Sequence, residues 1–184
     1  IILVPGRLTA WKGQEMFIES INLVKKELGY EAFHVVILGS DQGRNLYKKK
    51  LVRLTEQYRL TKQIKFIDHC KDMALAYQVS DIVISPSIEP EAFGRVAVEA
   101  QSMEKLIIAS NIGGSNETIV NEKTGFLFES GDVNSLSKKI IRAITMDETS
   151  LRLIGKEGRK NVIKKFNVEK MCFSTYSEYK RLLN

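Results

Sequence analysis

The stretch 81-DIVISPSIEPEAFGRVAVEA-100 decides the fold. Asp81–Ile84 reads as a buried strand. It empties into a loop broken by Pro86 and Pro90, and the loop turns into a helix at Gly94. The first amide N–H groups of such a helix lack intrahelical partners, and its dipole favours negative charge, so this helix start is an anion site. Glu91 borders the mouth from the loop, and Glu99 follows with seven residues between them. Helical side chains lean toward the N-terminus, so Glu99 reaches back to the same mouth. Ionised carboxylates only accept hydrogen bonds, so beside a phosphate they bind hydroxyls instead. Phosphate and hydroxyls together suggest a nucleotide sugar.

Outward from this stretch, short apolar runs alternate with segments of helical period. Ile1–Val4, Val35–Leu38, Ile64–Ile67, Leu106–Ala109 and Gly125–Phe128 read as further strands. Helices are expected over Gln14–Leu28, Asn45–Tyr58, Met73–Val79 and Val133–Ile144, with a helical turn in Gly113–Val120. The C-terminal third has no strand-like run and reads as two closing helices, Leu151–Phe166 and Val168–Leu183. Alternation of this kind predicts an α/β fold, a Rossmann-like parallel sheet flanked by helices, with a helical C-terminal segment. Ligands of such sheets sit beyond the carboxyl ends of the strands. The turns Gly6–Gly13, Gly39–Gly43, Asp68–Lys71 and Ser85–Gly94 each follow a strand, so they should meet at that edge.

The chain has 184 residues, 43% apolar and 27% charged, which fits one soluble globular domain spanning 1–184. No apolar stretch approaches the ~20 residues that span a bilayer. The sequence begins inside a strand-like run without an initiator Met, which reads as a piece of a longer protein. Cys70 and Cys172 are far apart and read as free thiols of a reducing compartment. The net charge is +6, with basic clusters at Arg44–Arg53 and Arg152–Lys170. Both clusters fall on amphipathic helices, where a solvated face explains them; a membrane surface is the next reading. Nucleic acid is not expected, because no binding signature accompanies the charge.

Pro5–Gln14, PGRLTAWKGQ, brings two cations to the first loop. Arg7 grips a phosphate with paired donors and Lys12 adds a mobile charge. Gly6 permits close backbone approach. Each cation alone reads equally as surface charge; at the same sheet edge as the helix mouth they make a diphosphate clamp. Gly39–Gly43 matches neither a dinucleotide fingerprint nor a P-loop, so NAD and FAD are disfavoured. Asp68–Cys70 is placed to offer backbone groups to a nucleobase, or else His69 is an ordinary loop histidine. Gly113 and Gly114 allow the backbone to approach a sugar or phosphate. Trp11 and Phe93 read as ligand contacts or as hydrophobic closure. No His/Cys cluster suits zinc and no Ser/His/Asp trio is present, so neither metal nor cofactor is expected.

These blocks, PGRLTAWKG, GSDQG, EAFGRVAVEA, IIASNIGGSNETI and TGFLFESGD in that order, resemble the C-terminal half of a group 1 (family 4) glycosyltransferase of GT-B fold. The resemblance implies a donor-binding domain whose acceptor-binding N-terminal partner lies outside the sequence. It implies transfer from a nucleoside diphosphate sugar, UDP- or GDP-linked, to a saccharide or lipid-linked hydroxyl acceptor, with retention and without a metal ion. By the same resemblance Arg7 and Lys12 hold the diphosphate and Glu91 lies near the donor sugar; these three are the catalytic candidates. Glu99 matches the ribose-binding carboxylate, and Phe93, Gly94 and Arg95 the backbone stretch facing phosphates and sugar; Gly6 and His69 complete the donor-binding set. The setting implied is cytoplasmic, with peripheral contact at the inner face of a membrane and polysaccharide biosynthesis as the process. A non-catalytic nucleotide-sugar-binding module and a glycogen synthase or phosphorylase stay open as alternatives. After Glu99 the sequence departs from the family, which places Gly and Pro before the next strand where this chain has Met103, Glu104 and Lys105.

Overall fold

The computed structural model describes residues 1–29, 33–43 and 45–183. Arg44, which opens the first basic cluster, lies outside them. Six strands, β1 (Ile2–Pro5), β2 (Val35–Leu38), β3 (Ile64–Ile67), β4 (Ile82–Ser85), β5 (Leu106–Ser110) and β6 (Phe126–Phe128), form one sheet of order β3-β2-β1-β4-β5-β6. All neighbours are parallel, and Ile2 pairs with both Val35 and Ile82. β1, β4 and β5 are buried throughout because helices cover both faces of the sheet's centre, whereas β3 at the edge exposes Lys65 and Ile67.

Side chains alternate between those faces. Ile2, Val4, Ile82 and Ile84 pack with Phe17 and Ile21 of α1 (Gln14–Leu28), Leu51 of α2 (Asn45–Gln57) and Ile140 of α6 (Val133–Thr145). Leu3, Val83 and Ile107 face Tyr77 of α3 (Met73–Gln78) and Ala97 and Ala100 of α4 (Arg95–Ser102). α5 (Ser115–Thr118) follows β5; α7 (Glu148–Lys165) lies against α4, and α8 (Val168–Leu183) has no buried residue. Among the described residues no helix is long and apolar enough to cross a membrane.

Small departures from the expected boundaries have local causes. β4 begins at Ile82, one residue later than expected, where the exposed Asp81 gives way to buried apolar residues. α7 starts three residues before the expected Leu151: Asp147 caps it, accepting from the Ser150 amide at 2.9 Å, and such a cap satisfies an otherwise orphan donor. Where the family places Gly before the fifth strand, Glu104 adopts the left-handed conformation itself, at φ 58°. The turn is thus preserved at a cost in backbone strain.

Strand order reverses between β1 and β4, so α1 and α4 pass to opposite faces of the sheet and leave a crevice at its carboxyl edge.

Candidate functional site

The loop after β1 ends in a 3-10 turn, Ala10–Lys12. It is held from beneath by Gln14, whose Nε2 donates to the Arg7 carbonyl at 2.8 Å while Tyr47 donates to Gln14 Oε1 at 3.2 Å. The loop after β4 is stitched to it, the Ile88 amide donating to the Trp11 carbonyl at 2.8 Å. Gly13, at φ 70°, makes this approach possible: a Cβ there would lie 1.9 Å from the Pro86 carbonyl oxygen. Gly13, the residue before α1, thereby lets the loops after β1 and β4 meet.

Within the crevice Lys12 Nζ donates to Glu91 Oε1 at 2.8 Å, with the two side chains 13% and 17% exposed. Ser87 donates to the same oxygen at 2.5 Å. Burial by itself pushes the Glu91 carboxyl up, but hydrogen bonds from Lys12 and Ser87 and the Lys12 charge outweigh it, holding the group below the usual carboxylate range. The Trp11 ring lies 4.5 Å from Lys12 Nζ and 5.9 Å from the Arg7 guanidinium, so one aromatic face attracts both cations. Arg7 is exposed at the mouth, and Gly6 precedes it, partly covered. The structure therefore unites Gly6, Arg7, Lys12 and Glu91.

Beyond Glu91 the loop enters α4 through Gly94, the N-cap, with no capping side chain. The Ala97 amide donates to the Gly94 carbonyl at 3.0 Å, so the Arg95 and Val96 amides are those left to water or to an anion. Arg95, exposed, opens the helix. Gly113 and Gly114 approach this loop closely. The Gly114 amide donates to the Glu91 carbonyl at 2.8 Å, and a Cβ on Gly114 would stand 2.5 Å from the Phe93 carbonyl carbon and oxygen. Phe93 packs edge-on against Phe166, ring centroids 5.6 Å apart, beside a cavity of about 440 Å³ that Val168 and Met171 help to line. Its side chain thus joins the loop to the α7–α8 corner.

Glu99 lies one turn into α4, its Oε2 accepting from the Tyr77 hydroxyl at 2.7 Å. His69 is exposed after β3, two strands from β1, on the rim of an apolar groove of about 300 Å³ walled by Leu38, Ile67 and Leu75. Gln14, Ser87 and Tyr77 escaped the sequence reading. Ser87 lies within the quoted stretch, four residues before Glu91, and was legible as a donor. Tyr77 reads as a core residue of α3, and its partner is 22 residues away across β4, beyond any local spacing.

Fold and site define a class: a doubly wound α/β domain whose switch point holds Arg7, Lys12 and Glu91 beside an uncapped helix mouth. The family model described as "Glycosyl transferases group 1" matches residues 1–161, and the chain belongs to that family. It is 30% identical over 183 residues to the capsular polysaccharide biosynthesis glycosyltransferase CapM of Staphylococcus aureus, covering 100% of this chain and 46% of CapM. The chain spans about half the length of that curated relative, and less of others it matches. Among solved structures it superposes on a glycosyltransferase from Rickettsia africae with a TM-score of 0.91 and 34% identity, covering 100% of this chain and 48% of that one. It also superposes on the C-terminal domain of a group 1 glycosyl transferase, LpcC, from Francisella tularensis, with a TM-score of 0.81 and 30% identity, covering 91% and 86%. The fold is that of the C-terminal domains of GT-B glycosyltransferases.

Proposed function

We propose that this domain holds a nucleoside diphosphate sugar, UDP- or GDP-linked, for transfer of a hexosyl group to a hydroxyl of a saccharide or lipid-linked acceptor. The observation that carries the reading is the Lys12–Glu91 pair at the β1/β4 switch point, with Arg7 on one side and the α4 mouth on the other. The diphosphate lies against Arg7, Lys12 and the α4 amides; Glu99 accepts from the ribose and Glu91 stands at the sugar. When the donor arrives, its phosphate shares Lys12 with Glu91, which keeps the ammonium aimed and desolvated beforehand. Gly6 and the backbone of Phe93, Gly94 and Arg95 line the path, and the His69 loop takes the base.

In the reaction the bond from the anomeric carbon to the phosphate oxygen breaks, its electron pair going to the diphosphate. A bond from the acceptor oxygen to that carbon forms, and the acceptor proton passes to the leaving phosphate. Charge grows on the diphosphate as this occurs, and Arg7, Lys12 and the helix mouth stabilise it, protein groups in place of a metal ion. Losing one preorganised donor of this kind costs ~10²–10³ in rate. The carboxylates act by positioning. Retention is carried over from the family resemblance. The name of CapM supports a product in bacterial surface polysaccharide, which suits a cytoplasmic enzyme working beside the membrane.

The test is a thermal-shift panel of UDP, GDP and ADP with their glucose and mannose conjugates on the full-length protein. A ligand at 100 times its dissociation constant stabilises by about 2.7 kcal/mol. One base should stand out, and Lys12→Met and Arg7→Ala should each abolish most of its shift. Indifference of the wild-type protein to every nucleotide at millimolar concentration refutes the proposal.

A further inference from the structure

The Glu99 carboxylate is not free to find a ligand by itself. It is fixed by a residue from a different element. Tyr77 lies in the last turn of α3, 2% exposed, its ring packed in the cluster that includes Val83, Ala97 and Ala100. That helix is itself pinned at both ends. Asp72 caps it, accepting from the Leu75 amide at 3.0 Å, and Ser80 donates to the Tyr77 carbonyl at 2.8 Å. From this rigid seat the hydroxyl donates to Glu99 Oε2 at 2.7 Å.

We propose that Tyr77 is a positioning residue for nucleotide binding: its buried hydroxyl locks the Glu99 carboxylate so that the remaining oxygen faces the crevice and accepts from the nucleotide ribose. A carboxylate has about four lone-pair sites, and the tyrosine takes one, which leaves the other oxygen for an incoming hydroxyl. Burial first, then the hydrogen bond to Glu99 and its charge, hold the phenol well above its ordinary range against the smaller opposing effect of Arg95. Tyr77 therefore stays a donor at any working pH. The inference rests on the reading of Glu99 as the ribose carboxylate.

The size of the effect follows from rotamer counting. In a helix Glu has two favoured wells at χ1 and three at χ2, so a Glu99 without its anchor spreads over up to about six arrangements. Apparent affinity falls by the fraction that remains competent. Tyr77→Phe, which removes one oxygen and keeps the ring in the core, should weaken nucleotide binding about three- to sixfold.

Calorimetric titration of the full-length protein with UDP, GDP and their 2′,3′-dideoxy counterparts tests both layers. In the wild type the ribo form of the preferred base binds more tightly than the dideoxy form, and Glu99→Ala should collapse that ratio toward one. If the ratio persists in Glu99→Ala, the ribose reading itself is wrong. Given the collapse, Tyr77→Phe should lower affinity for the ribo nucleotide only, leave the dideoxy affinity within twofold, and have no further effect in the Glu99→Ala background. Equal losses on both nucleotides would mark Tyr77 as merely structural and overturn the inference, as would an unchanged ribo affinity.

Discussion

Replacing Glu91 by Ala should destabilise the protein by leaving Lys12 charged and alone. The two side chains are 13% and 17% exposed and 2.8 Å apart. Removing one partner of a buried pair costs about 3–5 kcal/mol, because the surviving charge is left desolvated. Two features place this case at the lower end. The Trp11 ring, 4.5 Å from Nζ, still attracts the ammonium, by about 0.5–2 kcal/mol. The pair also lies at the sheet edge, so Lys12 can turn toward water. The expected loss is therefore about 3 kcal/mol, or a fall in Tm of about 6–12 °C for a chain of this size. Lys12→Met in the same background removes the stranded charge and should restore about 2 kcal/mol, a coupling typical of residues in direct contact. Urea unfolding measures both, followed by far-UV circular dichroism and by the fluorescence of Trp11, the single tryptophan of the chain. Coincident transitions justify a two-state treatment. A loss below about 0.5 kcal/mol, or simple additivity in the double variant, would show that the pair behaves as an exposed surface bridge, and the argument from burial would fail.

Three further outcomes are expected. Because the native environment lowers the Glu91 carboxyl from its ordinary value of 4.5, the unfolded chain binds the proton more readily. The pair's contribution is thus complete above that pH and is lost as pH falls through the lowered native value. Acid titration of stability should accordingly be shallower in Glu91→Gln than in the wild type. Glu104→Gly should raise stability by about 0.5–1 kcal/mol by relieving the left-handed backbone, since the contact to Arg159 at 3.8 Å is about half exposed on both sides and contributes little; calorimetry showing a loss would mean that the side chain matters more than the backbone. Gly114→Ala should push the Phe93 backbone aside, cost about 1–3 kcal/mol and weaken nucleotide binding by moving the α4 mouth, whereas an unaltered melting profile and affinity would contradict the close packing.

Much of the fold was legible because its signals are local. The runs ILVP, VVIL and IVIS are short, apolar and bounded by turns, and a strand buried on both faces needs nothing else. The helix at Gly94 announced itself by the loop before it. Boundaries slipped where a single side chain decided them, as with the Asp147 cap of α7 and the exposed Asp81 before β4. At the site, Arg7, Lys12 and Glu91 were legible because loops that follow parallel strands gather at one edge of the sheet. What they do once they meet was not. The sequence suggested a lysine for phosphate and a glutamate for sugar, while the structure bonds each to the other. Gly113 and Gly114 read as sites of close backbone approach, and the structure packs them against the Glu91–Phe93 loop.

By itself the sequence determined the αβ alternation, the edge at which the loops gather and the residue types delivered there, since strand period, helix period and turn chemistry are properties of neighbouring residues. Only the tertiary structure decided the strand order that puts β1 beside β4, the Lys12–Glu91–Ser87 cluster and the grip of Tyr77 on Glu99. Each of these joins segments brought together only by burial of the two sheet faces. Burial rewards apolar area without regard to which polar groups it brings together, so the hydrogen bonds made in the resulting crevice are properties of the packed sheet and not of any one segment.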